Sequence, residues 1–135
     1  EQDIVKANTT SIKQDLQNII TKEDLIDFQK LVMDIPIADN VIEYAVNLSH
    51  STRPINKCPE ITKKYIEWGA GPRSSSFLIL AAKAGAILKG EPTPNIDDIK
   101  KIAKPVLRHR IILNFNAEAE GIKTDDILDQ LINLL

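Results

Sequence analysis

The stretch WGAGPRSSSFLILAAKAGAILKG, residues 68–90, decides the fold of this chain. A glycine-rich turn leads through Pro72 into an alanine-rich run that is apolar almost all round, and Gly90 follows it. Proline favours the first position of a helix, and glycine favours the position just after its end. A helix that is apolar on every side is buried among other helices. We therefore predict an all-α protein, a small bundle of about five to six helices around a buried central helix at 72–89.

Shorter amphipathic helices are predicted on both sides of this central helix. Thr21 and Asp24 resemble a capping box that begins one of them, and Pro36 interrupts it. Few aromatic residues and no sustained polar–apolar alternation argue against a sheet core. The predicted apolar faces are Leu25, Phe28, Leu31 and Val32; Val41, Ile42, Ala45, Val46 and Leu48; Ile61, Tyr65 and Trp68; Ile96, Ile99, Ile102 and Ala103; and Ile127, Leu128, Leu131, Ile132 and Leu135.

Capping residues and helix breakers predict the remaining boundaries. They are a cap at Asp39, an end near Arg53-Pro54, a helix over about 60–68, starts at Asn95 and Asp97, a kink or restart at Pro105, a loop over 114–123 and a cap at Thr124. Residues 1–20 are predicted to be a partly helical leader with apolar residues at Ile4, Val5, Ile12, Leu16 and Ile19.

Composition argues against several classes of function. The formal net charge is −2, whereas general binding to nucleic acid needs a basic surface. The single cysteine, Cys58, excludes an internal disulfide framework and fits a reducing compartment. His50 and His109 lack the spacing of metal ligands, so we predict no metal site. No segment has the length of a membrane span or the pattern of a signal peptide. Without an initiator methionine, the sequence is expected to be a piece of a longer gene product.

Arg73 is the residue of the opening stretch that helix stability does not explain. It lies in the first turn, at the positive end of the helix dipole, where a cation is unfavourable by roughly 0.3–1 kcal/mol. Free N–H groups, an arginine and the serines at 74–76 would instead suit an anion, above all phosphate. The alternative is a plain turn that ends one helix and begins the next. On local chemistry alone, both interpretations remain open.

Familiar catalytic motifs are missing from these residues. The turn 69–73 has neither the spacing nor the lysine of a Walker A loop, and no G-x-S-x-G elbow occurs. Packing or a surface position explains His109 better than acid–base catalysis, and Arg53 can bind carbonyls at a helix end. The paired acids lie at predicted helix starts, where they cap and complement the dipole: Glu23 and Asp24, Asp97 and Asp98, and Asp125 and Asp126.

Five short motifs in order resemble the C-terminal lid of MoxR-type AAA+ ATPases, which are often described as methanol dehydrogenase regulatory proteins. The motifs are Thr52-Arg53-Pro54, Trp68-Gly69-Ala70-Gly71-Pro72-Arg73, Ala81-Ala82-Lys83-Ala84, Asp97-Asp98-Ile99 and Val106-Leu107-Arg108-His109-Arg110. The resemblance covers 21–135 and implies that this is the lid domain. It implies that 1–20 are a run-out from an ATPase core that these residues do not include, or a leader.

The resemblance also implies a function for the turn before the central helix. Arg73 matches the sensor 2 arginine, which contacts the γ-phosphate of ATP, and Gly71 and Pro72 belong to the same nucleotide-binding turn. Gly71 replaces the serine that is commoner in the family. ATP and Mg would be held mainly by the N-terminal AAA+ core of the same protein. The family further implies a cytoplasmic, chaperone-like ATPase, usually a homo-hexamer, that matures or assembles client protein complexes. We expect no catalysis from these residues alone.

A stand-alone helical interaction module is the competing hypothesis. Such a module would bind a protein partner or, with less support from an acidic sequence, DNA through Arg108-His109-Arg110. An independent small-molecule enzyme has no constellation of residues to support it. The sequence leaves the roles of Arg53, His109 and Arg110 undecided, and it does not identify a client.

Overall fold

Helices dominate the computed structural model, which describes residues 1–9, 17–55 and 57–135. The described residues also form one 3-10 turn and a two-stranded antiparallel sheet, so the all-α class is confirmed. In chain order the elements are α1 Gln2–Thr9, α2 Lys22–Asp34, α3 Asp39–Ser51, α4 Glu60–Tyr65, β1 Ile66–Trp68, α5 Arg73–Lys89, α6 Ile96–Leu107, the 3-10 turn Arg108–Arg110, β2 Ile112–Leu113, α7 Phe115–Glu120 and α8 Thr124–Leu134.

Helix α5 is the central helix, as predicted, and it contacts α2, α3 and α6. Its buried residues recur at every fourth position: Ser74, Leu78, Ala82 and Ala86. Alanine in this row lets neighbouring helices approach closely. The opposite side is less enclosed than a helix apolar all round would suggest, since Leu88 is 89% exposed. Gly90 ends the helix in the left-handed conformation, with φ of 74°, and its N–H donates to the carbonyls of Ala86 and Ile87.

One hydrophobic core joins α3, α5, α6 and α8. Full burial of each aliphatic side chain contributes about 1.5–3 kcal/mol, which makes this cluster the main source of stability. Most of the inward positions predicted for α3, α6 and α8 lie in it. The buried members are Val41, Tyr44, Ala45, Leu48, Ile66, Ala70, Leu78, Ala82, Ile99, Ala103, Leu107, Ile111, Ile127, Leu128 and Leu131.

Local capping contacts begin several of these helices. In α2 the Thr21 amide donates to Asp24 Oδ2 at 2.9 Å, and the Asp24 amide donates back to Thr21 Oγ1 at 3.1 Å. The predicted capping box is therefore confirmed. Asn95 and Asp98 make the same reciprocal pair at the start of α6. Three predicted helix starts differ from the structure by one residue. The N-caps of α3 and α8 are Ala38 and Lys123, so Asp39 and Thr124 are the first helical residues. Pro72 is the N-cap of α5, so the central helix begins at Arg73 and not at Pro72.

Two predicted boundaries are wrong. The helix expected over 60–68 ends at Tyr65, because Asn114 binds the carbonyls of residues 64 and 65 and β1 then pairs with β2. Trp68 consequently lies on a strand and is 69% exposed. The loop expected over 114–123 contains α7, which the Asn114 side chain caps. At Pro105 the predicted restart does not occur, since α6 continues through it to Leu107.

The N-terminal part of the chain packs loosely. No residue of α2 is buried, and its predicted apolar face is largely exposed, with Leu25 and Phe28 each at 53%. An apolar groove of about 470 Å³ lies between α2 and Leu80 of α5. Within residues 1–20, the side chains of Ile4, Val5 and Ile19 are exposed. The predicted apolar positions Ile12 and Leu16 lie outside the described residues.

Candidate functional site

The turn 69–72 connects β1 to α5 and places Arg73 at the first position of the central helix. The turn lies against the C-terminal end of α3. Thr52 is fully buried there, and its Oγ1 accepts a hydrogen bond from the Ala70 amide at 2.9 Å while it donates to the Ser49 carbonyl at 2.7 Å. Arg53 Nε donates to the Ala70 carbonyl at 2.8 Å. Both backbone polar groups of Ala70 are thus held by two consecutive residues of another element.

Gly69 is the position at which this turn needs glycine. A Cβ atom there would lie 2.3 Å from the Thr52 carbonyl oxygen and 2.7 Å from Arg53 Cα. Both of these neighbours are backbone atoms, so no side chain could move aside. Gly71 differs, because nothing lies within 4 Å of its Cβ position. The replacement of the family's usual serine by Gly71 therefore reflects no steric restriction in this structure.

Arg73 is exposed, and it makes no hydrogen bond or ion pair with any residue that the structure describes. The first turn of α5 contains no acidic residue, and no side chain caps it. The amides of Ser74 and Ser75 already donate to the carbonyls of Gly71 and Pro72, at 3.0 and 3.2 Å. The free backbone donors expected at this helix start are therefore partly used, and the guanidinium is the main group available to an anion.

A groove of about 460 Å³ runs along the turn beside Arg73. Two exposed apolar side chains, Ile55 and Trp68, lie at its border. Nη2 of Arg53 is buried without a hydrogen-bond partner among the described residues. The lining consists of Arg53, Pro54, Ile55, Glu67, Trp68 and residues 69–72. The groove thus combines apolar side chains with one cation, Arg53, and one carboxylate, Glu67.

Both arginines of the Arg108-His109-Arg110 motif make contacts within the domain. Arg108 pairs with Asp125, with Nη2 and Oδ2 2.9 Å apart. Arg110 Nε donates to the Val106 carbonyl, and its guanidinium carbon lies 4.7 Å from the centre of the Phe77 ring. Only His109 between them is exposed without a described contact. This arrangement ties the end of α6 to α8 and α5 and leaves little free positive charge for a phosphate backbone.

The paired acids cap helices, as the sequence predicts. Oδ2 of Asp98 accepts from the Asn95 amide at 2.9 Å, and its Oδ1 pairs with Lys89 near the end of α5. Burial raises the pKa of Asp98, but the bonds from Lys89 and from the Asn95 amide outweigh it, so the pKa lies below its usual value. Asp126 accepts from the Lys123 amide in the same way. These carboxylates are structural.

Neither a metal-ligand cluster nor a membrane-spanning helix is found in the described part of the chain. No group of three or more histidine, cysteine, aspartate or glutamate side chains there lies close enough to hold a metal ion. None of the helices described is long and apolar enough to cross a membrane.

Sequence reasoning singled out Arg73 as a candidate but missed the residues that hold the turn before it. Thr52 entered only as part of a motif, and Gly69 only as a turn residue. The contact between them joins segments 17 residues apart in sequence, and no local pattern reports such a contact.

Comparisons with known proteins agree with this geometry. The family model of the AAA lid domain matches residues 59–131, more than half of the chain. The chain is 31% identical over 118 residues to the uncharacterized protein YeaC of Bacillus subtilis, which covers 87% of this chain and 34% of YeaC. It is 26% identical over 117 residues to the chaperone MoxR1 of Mycobacterium tuberculosis, covering 86% of this chain and 31% of MoxR1.

A solved structure extends the likeness to the whole fold. The crystal structure of a "putative ATPase" from Cytophaga hutchinsonii superposes with a TM-score of 0.81 and 29% sequence identity, and the match covers 99% of this chain and 41% of that protein. The chain therefore spans about a third of the length of the curated relatives it matches. The resemblance found in the sequence is confirmed: this chain belongs to the AAA lid domain family and is the lid of a MoxR-family AAA+ ATPase.

Proposed function

We propose that this domain supplies the sensor 2 arginine, Arg73, to ATP that is bound on the AAA+ core of the same protein. The observation that carries the proposal is the state of Arg73 itself. Its guanidinium is exposed at a helix start, has no described partner, and is mounted on a turn that is bound at both polar groups of Ala70. A cation that serves stability would pair with a carboxylate, as Arg108 does with Asp125.

The residues present fit a nucleotide phosphate. Arginine is planar, stays charged at every physiological pH, and offers donors in a fork that matches phosphate oxygens. Gly71 and Pro72 precede it and leave open space, since no atom lies within 4 Å of a Cβ at Gly71. ATP, with Mg, would supply the phosphoryl group whose charge this guanidinium neutralises. We propose that the core holds the nucleotide and the metal, and that the lid contributes Arg73.

A lid that contributes one charged group also links nucleotide state to domain position. Arg73 would be attracted to the core when a γ-phosphate is present and released when it is absent. The exposed apolar residues Trp68 and Ile55 beside it would be covered in the docked arrangement. This device needs only one ion pair at a rigid place on the lid.

The wider setting follows from the relatives and remains part of the proposal. Because MoxR1 is described as a chaperone, we propose a chaperone-like ATPase that matures or assembles client complexes. It would work in the cytoplasm as a homo-hexamer, as methanol dehydrogenase regulatory proteins of this family are expected to do. Within the chain, 21–135 would form the lid, and 1–20 would be the run-out from the core.

ATP hydrolysis by the longer protein, with core and lid together, tests the proposal. We expect Arg73→Ala to lower kcat by about 10³-fold or more, the range found for arginines that stabilise a transferring phosphoryl group, while ADP binding is largely kept. Arg108→Ala, which removes an arginine already paired with Asp125, is the matched control and should keep wild-type turnover. Equal turnover in Arg73→Ala and wild type would refute the assignment.

A stand-alone interaction module is the second candidate, and the exposed apolar face of α2 favours it. The two functions are separated by the coding sequence upstream of Glu1. Walker A and Walker B motifs there would support the lid of an ATPase, and their absence would support the module. DNA as the ligand has no support from the contacts, because Arg108 and Arg110 are engaged within the domain.

A further inference from the structure

We propose that Thr52 and Arg53, at the C-terminal end of α3, are positioning residues for Arg73. The proposal rests on the proposed function, in which Arg73 contacts a phosphate on the core. We assign neither residue a contact with that phosphate. Both act on the turn that carries Arg73, through the backbone of Ala70.

Thr52 connects the turn to the buried part of the bundle. Its hydroxyl donates to the Ser49 carbonyl within α3 and accepts from the Ala70 amide, so the single proton and one lone pair are both committed. The side chain is fully buried, so its hydroxyl cannot exchange these hydrogen bonds for bonds to water. The Ala70 amide is thereby fixed relative to α3.

Arg53 completes the hold on the same peptide unit. Its Nε donates to the Ala70 carbonyl at 2.8 Å. The cost is visible at Nη2, which is buried without a described partner, and burying an unpaired donor is unfavourable. Stability alone therefore does not explain an arginine at this position. Its planar Nε–H is directed sideways from the chain, which a lysine ammonium cannot reproduce.

The distance from this hold to Arg73 is short. Ala70 and Ser74 are both buried, and only the three exposed residues 71–73 lie between them. One of the three is Pro72, whose φ is restricted by its ring. Close packing of Gly69 against the Thr52 carbonyl fixes the other side of the turn. Arg73 therefore starts from a backbone position that α3 determines.

A fixed starting position matters because the target lies on another domain. Misplacement of a catalytic group by about 1 Å can cost roughly 100-fold in rate. A loose turn would still leave a charged Arg73 near the nucleotide, but the guanidinium would not meet the phosphoryl oxygens in one geometry. Loss of a hydrogen bond to Ala70 should consequently lower turnover more than it weakens nucleotide binding.

The test is ATP hydrolysis by the longer protein with Thr52→Val, which keeps the shape of the side chain and removes the hydroxyl. We expect kcat to fall roughly 10- to 100-fold, with KM for ATP changed by less than about threefold. Thr52→Ser should restore most of the turnover. Thr62→Val is the matched control: Thr62 is equally buried and donates to the Ser51 carbonyl, but it makes no described hydrogen bond to the turn.

Two further readouts separate positioning from a general loss of stability. Thr52→Val should cause no additional loss of kcat when Arg73→Ala is already present, because both changes disable one unit. Hydrogen exchange at the Ala70 amide in this chain should accelerate in Thr52→Val and not in Thr62→Val. Unchanged Ala70 exchange, or equal loss of kcat in the two valine variants, would overturn the positioning role.

The outcomes also distinguish this inference from the function on which it rests. If Arg73→Ala lowers kcat and Thr52→Val does not, only the positioning role is wrong. If Arg73→Ala itself keeps wild-type turnover, the sensor assignment fails and the positioning role fails with it.

Discussion

Replacing Gly69 by alanine is the sharpest test of whether the turn 69–72 is packed tightly against Thr52 and Arg53. The new Cβ would lie 2.3 Å from the Thr52 carbonyl oxygen, against an ordinary contact distance of at least 3.4 Å, so the turn and the end of α3 would have to separate by about 1 Å. All three nearest atoms are backbone, which excludes relief by a rotamer change. The turn would move away from Thr52 and Arg53.

The expected cost can be worked out from these contacts. Overpacking of a tight site costs typically about 1–3 kcal/mol. Separation by 1 Å also breaks the two hydrogen bonds on Ala70, at about 1 kcal/mol each, and leaves a buried amide unpaired. We therefore expect Gly69→Ala to destabilise the domain by about 3–5 kcal/mol. For a domain of this size the loss corresponds to a fall in Tm of roughly 12–20 °C.

Thermal unfolding of the 135-residue chain, followed by far-UV circular dichroism, measures this cost. Gly71→Ala and Gly85→Ala are matched controls, because nothing lies within 4 Å of a Cβ at either position. Gly85 lies inside α5, where alanine should stabilise by roughly 0.5–1 kcal/mol. A Tm for Gly69→Ala within about 2 °C of the wild type would correspond to a destabilisation of less than about 1 kcal/mol for a domain of this size. That result would refute the tight packing of the turn 69–72 against Thr52 and Arg53.

Other predictions concern the core, the surface and pH. Leu78→Ala removes a fully buried side chain of the central helix and should cost about 2–5 kcal/mol in urea unfolding. Phe28→Ser, on the exposed face of α2, should change the same free energy by only about 0.5 kcal/mol. The lowered pKa of Asp98 contributes stability that is present above the unfolded value of about 3.9 and is lost as the pH falls through the folded value. Stability should therefore decline below about pH 4 in the wild type and less steeply in Asp98→Asn, which has no carboxylate to protonate. Parallel acid unfolding curves for the two proteins would contradict that last prediction.

Features that depend on neighbours in sequence were predictable. The capping box of Thr21 and Asp24 spans three residues, and so does the pair Asn95 and Asp98, so the sequence already contains both partners. The C-terminal Gly90 is equally local, since it needs only a left-handed residue after the last turn. These signals predicted the starts of α2 and α6 and the end of α5.

Features that depend on distant partners were not predictable. Helical spacing placed Trp68 on the buried side of a helix, but pairing with Ile112 takes it into a strand. The Asn114 side chain binds the carbonyl of Lys64, where α4 ends, and it also caps α7. No short sequence pattern shows this double role. Arg73 was identified through the family motif, whereas Thr52, 21 positions earlier, became visible as its support only in three dimensions.

The accessibility of Trp68 tests the docking of Arg73 on a nucleotide-bound core most directly. Trp68 is the only tryptophan of this chain, it is 69% exposed, and it lies five residues before Arg73. In the longer protein, with any tryptophan outside this chain replaced, acrylamide quenching of Trp68 can be compared with a non-hydrolysable ATP analogue and with ADP. We predict weaker quenching with the analogue than with ADP, and the loss of this difference in Arg73→Ala. Equal quenching with both nucleotides, or a difference that survives in Arg73→Ala, would contradict the central claim.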